Sequence, residues 1–311
     1  MIPINPIKQT KLFGLDRYIN EFIMLENNNK LPNKILLSGQ KGIGKSTLAY
    51  HFINYSLSKN EKFNYDIENY EINSDNTTYK TLINRSNPNF ILLDVNDEKK
   101  FIDIEQVRKL ILTLTKSSFN EKPRFVLIDN IETLNKNSIN ALLKVLEEPL
   151  LNTYFFLINN SSKKILPTIA SRCINFKISL SNKETLDVAN KLLGDELYEI
   201  INRDLINYYF TPGNICILFQ CGKLFSYDLR KLDLKKFLKN LIKDKYYKKN
   251  DSIKYLLFDL IESYFRKKTC NYNSDIFAQC EYFLRKISDT RKFNLDEESL
   301  FIELEEKILN G

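Results

Sequence analysis

The chain has 311 residues, 43% hydrophobic and 27% charged, a composition and length that suit a globular protein of two or three domains. Its net charge of +7 permits contact with nucleic acid without requiring it, because Lys, Asn and Ile are abundant along the whole length. Five cysteines with no C-x-x-C pair, and one histidine, His51, support neither a zinc site nor a disulfide framework.

No stretch reaches the roughly 18 apolar residues that a spanning helix needs. Met1 to Pro6 lacks the basic start and apolar centre of a signal peptide, so a cytoplasmic location with no membrane partner is expected. Leu15, Ile19, Phe22, Ile23 and Leu25 predict a helix that Asn27 to Asn29 and Pro32 end.

Ile35-Leu36-Leu37 then reads as a short buried strand. It runs into Gly39-Gln40-Lys41-Gly42-Ile43-Gly44-Lys45-Ser46, a complete G-x-x-x-x-G-K-[ST] loop, and on into a helical stretch from Thr47 to Ile53. Glycines let backbone N–H groups turn inward around phosphate oxygens, the helix start adds partial positive charge, and Lys45 reaches the outer phosphates. Ser46 is placed to hold Mg2+. His51, inside this helix, is expected on its surface or in the core.

Residues 59–89 are polar and weakly periodic, which predicts an irregular excursion with one short helix. Phe90-Ile91-Leu92-Leu93 is a second buried strand. Asp103 with Gln106 three residues on makes a capping box for a helix whose apolar face is Ile104, Val107, Leu110, Ile111 and Leu114. Arg124 to Ile128 is a third strand, and it ends in Asp129, the way a parallel sheet delivers an acid to the Mg2+ of a phosphate-loop site.

A helix follows from Asn135 to Ser138 onward, with Ile139, Leu142, Leu143 and Leu146 at helical spacing and Pro149 as its stop. Tyr154 to Ile158 gives a fourth strand. Asn159 and Asn160 after it either hold a water near a phosphate or cap the turn. A short helix is expected through Pro167 to Cys173.

This alternation from Ile35 to Ile178 describes a three-layer α/β core with a mostly parallel sheet. Beyond Ser179 helical periodicity takes over, with breaks at Thr211 to Asn214 and around Asn250, so the expected domains are 1–178, a small helical domain at 179–235 and a second at 236–311. The lysine-rich stretch from Arg230 to Lys249 predicts an amphipathic helix with a solvated basic face, and Leu295 to Leu309 an acidic amphipathic one.

The ordered motifs resemble the AAA+ clamp-loader family of bacterial DNA polymerase III, in its delta-prime branch. They are Leu31-Pro32, the phosphate loop, Ile104 to Leu110, Asn140-Ala141-Leu142-Leu143-Lys144-Val145-Leu146-Glu147-Glu148-Pro149 and Ser171-Arg172-Cys173. The resemblance implies an AAA+ phosphate-loop domain, a helical lid and a C-terminal collar. It also implies ATP and Mg2+ as cofactors, held by Gly39, Gly42, Gly44, Lys45, Ser46, Thr47, Asp129 and Asn160. Partners would be motor subunits of gamma or tau type, a delta-type subunit, the sliding clamp and primed DNA.

The resemblance further implies that Arg172 is a catalytic arginine finger acting in a neighbour's ATP site. Cys173 is expected to be a small buried residue. Two departures from the active pattern bear on hydrolysis: Asn130 stands where motor subunits carry a glutamate, and Cys216 stands where they carry a phosphate-sensing arginine. The family's zinc module is absent from 59–89. A delta-prime stator with weak or no ATPase of its own is the expected function, against an active motor subunit, a phosphate-loop small-molecule kinase or a scaffold with an empty loop.

Overall fold

A computed structural model describes residues 5–95, 101–116, 120–148, 150–160, 165–248, 251–269, 274–293 and 295–309. The chain divides into two compact units. The first is Met1–Val188 with Thr211–Gly213, and the second is Ala189–Phe210 with Asn214–Gly311.

In chain order the first unit contains α1 (Asp16–Asn27), β1 (Lys34–Ser38), α2 (Lys45–Ser58), α3 (Thr77–Ile83), β2 (Phe90–Leu93), α4 (Ile104–Leu114), β3 (Arg124–Ile128), α5 (Lys136–Glu147), β4 (Thr153–Asn159), α6 (Pro167–Ala170) and β5 (Ile174–Lys177). The strands form one sheet in the order β2-β3-β4-β1-β5, and every pairing is parallel. Alternation along each strand divides its side chains between two cores. Ile35, Leu37, Phe125, Leu127, Phe156 and Ile158 face the layer of α1 and α2. Leu36, Val126, Ile128, Phe155 and Leu157 face α4 and α5.

Phe22 of α1, Phe52 of α2 and Phe156 of β4 meet with ring centroids 5.5 to 5.9 Å apart, and all three are fully buried. Such aromatic contacts add to the area term that fixes a helix on a sheet. α4 begins with the capping box: Asp103 accepts from the Gln106 backbone N–H and Gln106 Oε1 accepts from the Asp103 N–H, both at 3.0 Å. At its other end the Arg124 guanidinium donates to the carbonyls of Leu114 and Lys116 at 3.3 and 3.2 Å, satisfying groups that a helix end leaves bare. Asn135 caps α5 by accepting from Ser138 N–H; Pro149 lies outside the described residues.

The excursion after α2 holds α3, capped by Asn76. β5 has no counterpart among the strands read from sequence. It is an edge strand of four largely exposed residues, Ile-Asn-Phe-Lys, so it carries no apolar run to detect. α6 is only four residues long, ending before the expected Cys173.

α7 (Asn182–Leu193) crosses from the first unit's residues into the second's. The second unit continues with α8 (Leu197–Ile200), most of α9 (Pro212–Leu224), α10 (Leu234–Lys243), α11 (Asp251–Thr269), α12 (Ser274–Phe293) and α13 (Glu297–Leu304). α10 buries Leu234, Phe237, Leu238, Leu241 and Ile242 and turns its lysines outward. Lys245 and Lys248 both donate to Glu298 at 2.5 Å, while Lys286 and Lys307 donate to Glu303, which ties α13 and the turn after it to their neighbours. Among the described residues no helix is long and apolar enough to cross a membrane.

Candidate functional site

β1 ends at Ser38 and α2 begins at Lys45, so residues 39–44 make the turn from the C-terminal end of an interior strand to a helix start. Gly42 and Gly44 adopt φ of +83° and +100°, a region that side chains rarely enter. At Gly39 the limit is space instead: a Cβ there would sit 2.4 Å from the Ile178 carbonyl oxygen.

The loop is braced from a distant part of the chain. Gly213 N–H donates to Gly42 O and Thr211 Oγ1 donates to Lys41 O, both at 2.9 Å. A Cβ on Gly213 would lie 2.6 Å from Gly42 Cα, so both glycines are required for the approach. The sequence presents Thr211 to Asn214 only as a break between helices.

Lys45 is 3% exposed, and its ammonium donates to the carbonyls of Gly39 at 3.0 Å and Gln40 at 2.6 Å. Burial pulls its pKa down to about 8, while the carboxylates of Asp129 and Glu132 favour the charged form. The Ser46 hydroxyl donates to Asp129 Oδ2 at 2.7 Å, so the two residues expected to hold Mg2+ are in contact. Burial raises the Asp129 pKa to about 6, with Asp94 adding to the rise; Ser46, the Asn130 N–H and Lys45 oppose it. Thr47 lies partly buried in the first turn of α2.

The C-terminal ends of β2, β3 and β4 stand side by side and bring a polar cluster together. Asn130 sits in the left-handed region at φ 55°, ψ 50°. Its Nδ2 donates to Asp94 Oδ1 at 3.0 Å, and its Oδ1 accepts from Asn160 Nδ2 at 2.7 Å. Asn160 N–H also faces Glu132 Oε2 at 3.4 Å. Asp94 is the residue that sequence reading misses, although a signal exists: Phe90 to Asp94 is an apolar run ending in a carboxylate, as Arg124 to Asp129 is.

These groups fit a phosphate chain with a hard divalent cation. Two glycines open the cradle, a desolvated ammonium supplies charge, and a hydroxyl paired with a carboxylate offers oxygen ligands of the type Mg2+ prefers. Among the described residues no group of three or more His, Cys, Asp or Glu could hold a metal by itself.

Arg172 belongs to a different place. It follows α6, donates to Thr168 O at 2.8 Å, and forms an ion pair with Glu147 at the end of α5; its side chain is 33% exposed. None of these partners is part of the phosphate loop. Cys173 is partly buried and Cys216 buried, and burial pushes both thiols up to about 11, which leaves them protonated. His51 is a core residue with its pKa lowered to about 4 by burial. Its Nε2 donates to the Gln9 carbonyl and its Nδ1 accepts from the Tyr65 hydroxyl, each at 3.0 Å, the only neutral arrangement that suits a carbonyl partner.

A family model described as DNA polymerase III, delta subunit, matches residues 14–182. The DNA polymerase III subunit delta' of Buchnera aphidicola subsp. Schizaphis graminum is 24% identical over 278 residues, 86% of this chain and 83% of that protein. The subunit delta' of Pseudomonas aeruginosa is 32% identical over 139 residues, 45% of this chain and 40% of that one. The crystal structure of a DNA polymerase III gamma subunit-related protein from Thermotoga maritima covers 93% of this chain and 95% of its own, at a TM-score of 0.49 and 18% identity, a likeness too low to carry any conclusion.

Proposed function

The chain belongs to the DNA polymerase III delta-subunit family as a clamp-loader chain of delta' type, and from that premise we propose that it acts as the stator of a clamp-loader ring. Its loop binds ATP and Mg2+. Gly39, Gly42, Gly44, Lys45 and Thr47 would hold the phosphates, Ser46 and Asp129 the cation, and Asn160 the terminal phosphate. The bound nucleotide supplies a labile phosphoryl group; this chain's residues bind and orient it, and hydrolyse it slowly or not at all.

Asn130 carries that reading. An amide at the end of β3 orients a water but cannot take its proton, and the absence of a general base costs about 10² to 10⁴ in rate. Arg172 acts on a neighbouring subunit's nucleotide, where a guanidinium stabilises charge on the transferring phosphoryl group. Its partly exposed side chain supports this, because the carboxylate it meets among the described residues, Glu147, is itself on the surface.

Residues 1–178 serve as the nucleotide-binding domain, 179–235 as a lid and 236–311 as the collar that joins the ring. The partners are motor subunits of gamma or tau type and a delta-type subunit, and through them the sliding clamp and primed DNA in the cytoplasm.

ATP turnover by the isolated chain, and by the reconstituted loader with clamp and primed DNA, tests the reading. The isolated chain is expected to be nearly inactive, and the loader to lose turnover on Arg172→Ala. A fast isolated ATPase, or a loader indifferent to Arg172, overturns it. Glu132 favours the rival reading of an active motor subunit, since it accepts from the Asn160 N–H at the strand ends and, with Asp129, favours the charged form of Lys45. If Glu132→Gln abolished turnover by the isolated chain, the motor reading would stand instead.

A further inference from the structure

We propose that Asp94 is a positioning residue that fixes, through Asn130, which side of the Asn160 amide is offered to a nucleotide, and so sets the preference for a nucleoside triphosphate over a diphosphate. The proposal rests on the nucleotide-binding reading of the loop.

A side-chain amide has a donor end and an acceptor end of nearly the same shape, so its neighbours decide its orientation. Asp94, when ionised, only accepts. It therefore selects the Nδ2 end of Asn130, 3.0 Å away, and this turns Asn130 Oδ1 toward Asn160. An oxygen facing Asn160 in turn selects the Nδ2 end of that amide, at 2.7 Å. One N–H of Asn160 is spent on Asn130, and the other is left for an anionic oxygen.

The first two members of the relay are held in place. Asp94 is anchored twice, its backbone carbonyl accepting from the Gln106 side-chain Nε2 at 2.9 Å and its Oδ1 from the Val95 N–H at 2.7 Å. The left-handed backbone of Asn130 aims its side chain between the two strand ends, and its own N–H is spent on Asp129 Oδ1 at 2.8 Å. Without Asp94, Asn130 can turn over and present Nδ2 to Asn160. Asn160 then answers with Oδ1, and its donor end is turned elsewhere. The discriminating contact is lost although neither amide has been changed.

The test is equilibrium binding of Mg-ATP, of a non-hydrolysable ATP analogue and of Mg-ADP to the full chain. It compares wild type with Asp94→Ala, Asp94→Asn, Asn160→Ala and the double variant Asp94→Ala/Asn160→Ala, each checked for folding by thermal melting. Asp94→Ala is expected to weaken both triphosphates about tenfold, the worth of one well-placed hydrogen bond, and to leave ADP unchanged. Asp94→Asn keeps most of the preference, because its Oδ1 still accepts from Asn130. In the Asn160→Ala background Asp94→Ala is expected to add nothing.

Equal weakening of ATP and ADP by Asp94→Ala, or additive losses in the double variant, overturns the relay while leaving nucleotide binding intact. A wild-type chain that binds neither nucleotide overturns the nucleotide-binding reading and the relay with it.

Discussion

The strand-end cluster around Lys45 and Asp129 and the surface around Arg172 are both polar sites in the same unit, but their charges are satisfied in different ways. Lys45 is almost wholly buried, hydrogen-bonded to its own loop, and shifted by desolvation. Arg172 is partly solvated and shares one surface ion pair with Glu147. The charged groups of the first site find their partners within the chain, which bears the cost of their burial continuously. The second bears almost no such cost, and in the proposed stator its chemistry depends on what a neighbour brings to it.

Five measurements bear on this contrast. The largest effect belongs to the exposed site: Arg172→Ala is expected to lower turnover by the assembled loader about 10³-fold, the lower end of what a transferred arginine contributes. Next, Lys45→Ala is expected to weaken Mg-ATP binding by the isolated chain about 10²-fold, as loss of a charge-assisted contact would, measured by calorimetric titration. An unchanged affinity would show that the buried lysine serves the loop's own carbonyls alone.

The third concerns stability. The folded-state pKa of Asp129 is raised from 3.8 to about 6. Its contribution is therefore favourable below pH 3.8 and is lost as pH rises through 6, leaving a net penalty at pH 7. Asp129→Asn should raise the Tm of the nucleotide-free protein at pH 7 by a few degrees, on the order of 1 kcal/mol for this partly buried group, and the gain should vanish below pH about 4. Lys45 acts with the opposite charge. With its pKa lowered from 10.5 to about 8, stability should rise with pH between those values, and a Lys45→Met chain should lack that slope.

The smallest effect closes the comparison: Arg172→Ala or Glu147→Gln should shift the melting of the isolated chain by no more than about 0.5 kcal/mol, as exposed ion pairs do. A larger loss would make Arg172 a structural residue.

The parts of the molecule legible in sequence are those whose physics is local. The apolar runs of β1 to β4, the Asp103–Gln106 capping box and the spacing of the phosphate loop each declare themselves within a few residues. What stayed hidden depends on chain segments far apart. Asp94 matters because β2 lies beside β3, which brings it to Asn130, and nothing between residues 94 and 130 announces that neighbour. Gly213 reads as a helix-boundary glycine until it is seen against Gly42, 2.9 Å from N–H to carbonyl. β5 escaped because an exposed strand of four residues has no hydrophobic signature. The pairing of Arg172 with Glu147 joins two family motifs that the sequence offers only as separate blocks.

That same short strand has a consequence for how the protein behaves at high concentration. β5 closes the sheet on one side, and an unpaired backbone edge is a template on which another chain can add a strand. Four residues offer too few hydrogen bonds to hold a stranger. Asn175 is already engaged by the Ser38 hydroxyl at 2.7 Å, the Lys177 carbonyl accepts from the Tyr18 hydroxyl at 3.2 Å, and the exposed Lys177 side chain adds the charge that discourages strand addition. Ile174 is the weak point, 56% exposed at the start of the edge. The edge is thus protected against self-association first by its brevity and then by its lysine.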